Sequence, residues 1–331
     1  MSSLVSFANL VDGVSQPGSE TFESYDPFTG KPWARIPRCR AEEVDKAVRA
    51  AYAAFQSSAW RSLTATARGA LLVRLADLIA ANADRLAALE TRDKLITEMS
   101  AQLRYIPEWF RYFGGLADKI EGAVLPIDKP GMFAFTRREP IGVVAAIAPW
   151  NSPLMLLTWK LAPLLAAGNT VVIKPSEHSS ASTLAYVELF AKAGFPPGVV
   201  NTVTGFPEEV GVPLVSHPLV AEIAFTGGEA GGVVVYKAAA EGLKTVTLEL
   251  GVSQRTLSST TPMSKARSMA PFPGFLQRPD RPASPVRVSS FTERFTTKWS
   301  RVSSPSRAPR EWATPPIRRR RSDPLRRWPS A

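Results

Sequence analysis

Residues 142–153 read Gly142-Val143-Val144-Ala145-Ala146-Ile147-Ala148-Pro149-Trp150-Asn151-Ser152-Pro153, a short apolar run that stops in a turn of Pro, Trp and Asn. Apolar residues without alternation suit a strand buried on both faces. Four more such runs follow, at 170–174, 200–204, 221–225 and 245–250. Each interval has room for a helix, at 154–167, 180–193, 208–216 and 229–241. Strand, helix, strand repeated in this way predicts a doubly wound, Rossmann-like α/β fold with a parallel sheet. Ligands of such sheets lie beyond the C-terminal ends of the strands.

The polar and Gly-rich patches fall at those ends. The first run leads into Pro149-Trp150-Asn151-Ser152-Pro153, the second into Lys174-Pro175-Ser176-Glu177, and the third into Thr204-Gly205-Phe206. The fourth leads into Thr226-Gly227-Gly228-Glu229-Ala230-Gly231-Gly232, and the fifth is Leu248-Glu249-Leu250-Gly251.

Upstream, residues 4–36 have the texture of short strands and turns. From Arg40 the pattern is helical, with Val44, Val48, Ala51 and Phe55 in one stripe. A second helix starts near Thr64 or Thr66, a third near Asp84, and a long fourth carries Trp109, Phe110, Tyr112 and Phe113. These stripes read as core and packing. Residues 132–138 alternate like a strand. Cys39, between Arg38 and Arg40, reads as a partly buried structural cysteine, and His178 and His217 as isolated, so no metal site is expected.

The charge is uneven. The chain of 331 residues is +11 overall. Residues 252–331 hold 17 Lys+Arg and 4 Asp+Glu, whereas residues 1–251 are −2. The last 80 residues also hold 12 of the 29 prolines and lack an apolar period, so they read as a disordered basic tail. One cysteine excludes a stapled secreted fold. No apolar run reaches about 18 residues and no secretory leader pattern is present, so neither a membrane span nor a membrane partner is expected, and the chain reads as cytoplasmic.

The quoted strand-end segments, in this order and at this spacing, resemble the NAD(P)-dependent aldehyde dehydrogenase superfamily from about Phe22 to Gly251. The resemblance implies that residues 1–251 are the N-terminal and NAD-binding region, with 126–140 as a projecting β segment that joins subunits into a homo-oligomer. It implies oxidation of a small-molecule aldehyde to a carboxylic acid through a thiohemiacetal on a cysteine. Asn151 would donate to the developing oxyanion; its structural alternative is a loop-capping Asn. Glu249 would be the general base; its alternative is an exposed strand-end carboxylate. Lys174 and Glu177 would contact the adenosine ribose, Glu177 favouring NAD and Lys174 leaving NADP open; their alternative is a surface ion pair. Trp150, Gly205, Gly227, Gly228 and Gly232 would complete the cofactor site. Gly227 and Gly232 match the family's Gly-x4-Gly loop. Gly228 stands where the family usually has Ser, which removes a phosphate contact but leaves the backbone N–H groups.

The resemblance ends at Val252, which replaces the second glycine of a Leu-Glu-Leu-Gly-Gly motif, and no cysteine follows. The nucleophile is absent and the chain as written is expected to be inactive. The genetic code suggests why. If each true codon is the third base of one residue's codon plus the first two of the next, residues 258–265 can be spelled VDDADVE. Residues 273–288 then give GIFAATGQTCVAGSR, and residues 311–324 give MGDPADPATEIGP, three segments in the family's order. Single-codon residues agree: Met263 and Trp312 each force a leading G, permitting Val and yielding Gly. The tail therefore reads as an out-of-frame product replacing the catalytic domain. The alternative is a non-catalytic nucleotide-binding pseudoenzyme or a basic-tailed nucleic-acid-binding protein. The tail's lack of aromatic interleaving argues against nucleic acid.

Overall fold

The computed structural model describes residues 4–93 and 99–251. The expectations for residues 252–331 lie outside the described residues. The chain opens with strands β1 (Val5–Ser6), β2 (Asn9–Val11), β3 (Val14–Gln16), β4 (Thr21–Asp26) and β5 (Lys31–Pro37). Helices α1 (Ala41–Gln56), α2 (Ser58–Arg61), α3 (Ala65–Ala81), α4 (Ala83–Asp93) and α5 (Met99–Leu116) follow. Thr64 caps α3, its hydroxyl accepting from the Ala67 N–H, which decides the start that the sequence left between two threonines.

A two-stranded ribbon, β6 (Val124–Leu125) with β7 (Ala134–Phe135), precedes the main sheet. It is shorter than the alternation at 132–138 suggests. Then come β8 (Val143–Ile147), α6 (Pro153–Ala166), β9 (Thr170–Lys174), α7 (Ser180–Ala193) and β10 (Val200–Thr202). A π-helical turn, Pro207–Gly211, leads into α8 (Val212–Ser216), and β11 (Val220–Gly227), α9 (Glu229–Glu241) and β12 (Thr245–Leu250) complete the order. The expected helix at 208–216 is thus a π turn followed by a short α-helix.

The five strands β8–β12 form one parallel sheet in the order β10-β9-β8-β11-β12. Val144 and Ala146 of β8 face a core built with α3, α5, α6 and α7. Val143, Ala145 and Ile147 face a second core with α1, α8 and α9. With helices on both faces, every residue of β8 and β9 is buried, which is why these strands show no alternation in sequence.

β12 departs from that expectation. It is an edge strand, its residues exposed or half-buried, with Val246 and Leu248 packed against the second core. Among the described residues, β11 is its only strand partner. Its letters keep the period of two, with Val246 and Leu248 packing inward between Thr245, Thr247 and Glu249.

Candidate functional site

The order of strands reverses between β8 and β11, and a parallel sheet opens a crevice at such a switch point. The turn after β8 carries Trp150 and Asn151. Pro153 fixes the first turn of α6, where its missing N–H costs nothing. Asn151 is exposed, and its Oδ1 accepts from the Ser152 N–H at 3.1 Å. Trp150 is 45% exposed beside it.

Across the crevice, Glu249 pairs in register with Thr226 on β11. Its Oε2 accepts from the Thr226 hydroxyl at 2.5 Å and from the Lys160 ammonium at 3.0 Å. Burial would raise the Glu249 pKa, but the Thr226 hydrogen bond and the Lys160 charge together hold it below the usual carboxylate value. Lys160 sits on α6 with its side chain 4% exposed. Burial pulls its pKa down, and the Glu249 charge and hydrogen bond oppose that. Glu249 is thus a strand-end carboxylate that is 44% exposed and paired with both Thr226 and Lys160. Lys160 was not singled out from the sequence; the available signal was a lone cation in the apolar helix Pro153–Ala166.

On the other side of β8, Lys174 ends β9. It is buried, its ammonium donating to the Pro175 carbonyl at 3.1 Å with a Glu177 oxygen at 3.9 Å. Burial lowers its pKa, against the opposing charges of Glu177 and Glu208. The surface ion-pair alternative for Lys174 does not hold, because this cation is enclosed. Desolvating an ammonium is costly, so its position at the ligand edge is held by specific neighbours.

The glycines at the β11–α9 turn differ in what holds them. A Cβ on Gly227 would lie 2.5 Å from the tip of the Phe225 ring, and one on Gly232 would lie 2.5 Å from a Leu250 methyl. Gly228 faces open space, with nothing within 4 Å of where its Cβ would be. It is the N-cap of α9, and no side chain caps the helix. The first N–H groups of a helix have no intrahelical acceptor, so this end is suited to an anion. Gly205, with φ 149°, is fixed by packing: a Cβ there would meet Val210 at 2.6 Å and the Cys39 carbonyl at 3.1 Å.

Cys39 is fully rather than partly buried. Its Sγ accepts from Asn9 Nδ2 at 3.2 Å, and burial raises its pKa despite hydrogen bonds with Thr204. Its N–H bonds the Thr204 carbonyl just past β10. β10 and β12 are opposite edges of the sheet, four strand spacings apart, or about 19 Å. The thiol therefore cannot serve the Glu249 centre. His217 is not isolated: its Nε2 lies 3.1 Å from Asp45 Oδ1, a partner 172 residues away in sequence. Among the described residues no cluster of His, Cys, Asp and Glu could hold a metal ion, and no helix is long and apolar enough to cross a membrane.

The sequence profile described as the aldehyde dehydrogenase family matches residues 14–258. A (Z)-2-((N-methylformamido)methylene)-5-hydroxybutyrolactone dehydrogenase of Acinetobacter baylyi is 51% identical over 247 residues, covering 74% of this chain and 51% of that protein. The crystal structure of a putative aldehyde dehydrogenase from Burkholderia cenocepacia superposes with a TM-score of 0.71 at 45% identity, covering 75% of this chain and 51% of the other. PnpE in complex with nicotinamide adenine dinucleotide gives 0.71 at 44% identity, again over 75% and 51%. The chain thus spans about half the length of the relatives it matches. On the profile match and these identities, it belongs to the aldehyde dehydrogenase family.

Proposed function

We propose that residues 1–251 are the N-terminal and cofactor-binding half of an NAD(P)-dependent oxidoreductase that oxidises an aldehyde to a carboxylic acid. The observation that carries this reading is the Glu249 carboxylate, held charged by Thr226 and Lys160 across the switch-point crevice from Asn151. A carboxylate kept ionised can accept a proton from a thiol or a water. Asn151, exposed on its turn, is placed to donate to a developing oxyanion.

The donor set fits a dinucleotide. Glu177 can accept from ribose hydroxyls, Lys174 can donate beside it, and the uncapped N-terminus of α9 can receive a pyrophosphate at Gly228. Gly227 and Gly232 set the path of that turn, Gly205 sets the loop after β10, and Trp150 flanks the crevice. Once bound, the nicotinamide supplies the hydride acceptor. NAD is the expected cofactor, with NADP open, and the NAD complex of a 44% identical neighbour supports this. A single cysteine, free and buried, suits a reducing cytoplasmic setting.

The chain as written has no nucleophile, because its one cysteine is Cys39. Residues 252–331 read as out-of-frame product in place of the catalytic domain. The shift sits at Gly251/Val252: a third base G from Gly251 followed by the GT of Val252 spells the missing second glycine. Residues 126–140, which include β7, are the proposed subunit-joining segment. Phe133 and Phe135 there are more than 60% exposed, which suits a surface awaiting a partner. The nucleic-acid alternative rests on residues 252–331 alone, and no observation favours it.

The test is the purified chain incubated with NAD and a simple aldehyde, beside a version with the frame restored at codon 252. The chain as written should give no NADH and the restored one should. NADH from the unrestored chain at enzyme-like rates would overturn the inactive reading. A gene whose adjacent frame lacks the GQTC stretch would overturn the frameshift.

A further inference from the structure

The segment between β5 and α1, Arg38-Cys39-Arg40, grips the far side of the sheet in a way the proposed chemistry does not use. Arg38 holds Glu209 with two bonds, Nε to Oε2 at 3.0 Å and Nη2 to Oε1 at 2.6 Å. Arg40 Nη1 reaches the same Oε1 at 2.5 Å, and its Nη2 reaches Glu20 at 2.9 Å. The Arg38 guanidinium also lies 5.0 Å from the centre of the Phe206 ring. Below them the Cys39 N–H and the Pro37 carbonyl are tied to Thr204. Two arginines on one carboxylate make a planar, directional clamp that a lysine could not.

Glu209 is central in the π turn Pro207–Gly211, which closes with the Val212 N–H on the Pro207 carbonyl. Isolated π turns are rare and poorly self-supporting, and they are frequent at functional sites. This one follows the strand whose end lies at the ligand edge. Its last residue, Gly211, lies against the Lys174 stem, a Cβ there falling 3.8 Å from Lys174 Cε. Glu208, next to the clamped carboxylate, adds to the field on the Lys174 ammonium. The turn is thus one wall of the enclosure that holds Lys174.

We propose that Glu209, gripped by Arg38 and Arg40, is a positioning residue for the ribose of an adenine nucleotide: it fixes the π turn that aims Lys174 and Glu177. This rests on the reading that Lys174 and Glu177 hold the adenosine ribose. The clamp touches no ligand itself; it sets how well the site distinguishes a ribose from a deoxyribose.

The experiment titrates the full chain with AMP and with 2′-deoxy-AMP by calorimetry, in wild type, Glu209→Gln and Arg40→Met, with a thermal melt of each. The wild type should bind AMP about tenfold tighter than the deoxy compound, the worth of a charge-assisted hydrogen bond. In Glu209→Gln the ratio should fall towards one, and in Arg40→Met, which keeps the two Arg38 bonds, to an intermediate value. A loss of stability alone would lower both affinities and leave the ratio intact, so an unchanged ratio in either folded variant overturns the proposal. If Glu209→Gln gives no melt, Arg40→Met decides. A wild type that binds AMP without preferring it over the deoxy compound, or does not bind it, overturns the underlying assignment of Lys174 and Glu177 instead.

Discussion

Replacing Lys160 by Met tests whether the carboxylate at the centre of the crevice is held in its charged form by the helix beside it. Two unit charges 3.0 Å apart attract by about 1.4 kcal/mol at the dielectric constant of water and by about 5.5 kcal/mol at an effective constant of 20. The ammonium is enclosed, but the carboxylate is 44% exposed. Water therefore screens the pair, and about 1 kcal/mol is the appropriate figure. Against this stands the cost of burying the ammonium, visible as the lowered Lys160 pKa. Met fills the volume of the lysine stem and carries no charge, so the two terms largely cancel. Stability at neutral pH should change by less than about 1 kcal/mol.

The carboxyl group responds differently. In the variant, burial still pushes the Glu249 pKa up and only Thr226 opposes it, so the pKa rises. A depressed folded pKa contributes stability that is present above the ordinary glutamate value of 4.5 and is lost as pH falls through the folded value. The wild type should therefore lose stability on acidification below that value, and Lys160→Met should lose less. Carboxyl NMR with labelled glutamate reads the first effect, and denaturant melts across the acid range read the second. A Glu249 that titrates at the same pH in both proteins would refute the reasoning, as would a loss of more than about 3 kcal/mol at neutral pH.

Gly228→Ser should be tolerated and beneficial. The backbone there is extended, with φ −75° and ψ 158°, and the new side chain enters open space. As an N-cap, serine should add a few tenths of a kcal/mol to stability, and its hydroxyl should tighten NAD binding by up to about tenfold. A titration in which affinity does not change would remove this turn as the phosphate site. Gly205→Ala should do the opposite, costing about 2–4 kcal/mol, because φ is positive and the Cβ has no room; a variant that melts with the wild type would show that the loop can move aside.

What was legible in the sequence follows from burial. The runs at 170–174 and 245–250 coincide with β9 and β12, and the intervals at 180–193 and 229–241 coincide with α7 and α9; β9, enclosed by helices, is buried throughout, whereas β12 at the sheet edge alternates, with Val246 and Leu248 inward. What was not legible depends on pairs remote in the chain. Lys160 meets Glu249 across 89 residues, and Arg38 meets Glu209 across 171; neither separation leaves a local period. The π turn left no local signal either, since Pro207-Glu208-Glu209-Val210-Gly211 has the letters of an ordinary helix start and the arginines that hold Glu209 lie 171 and 169 residues away.

The glycines show how packing and chemistry overlap in one motif. The sequence groups Gly227, Gly228 and Gly232 as a single cofactor loop. In the fold, a Cβ on Gly227 or Gly231 would press on the tip of the buried Phe225 ring, and one on Gly232 on a methyl of the half-exposed Leu250 side chain, whether or not a nucleotide ever binds. Gly228 alone is required by no neighbour. A motif match at the tight glycines therefore attests to the turn, and only the open position can report on the ligand. That makes Gly228, where the family usually has a hydroxyl, the residue at which affinity for the cofactor can change without disturbing the fold.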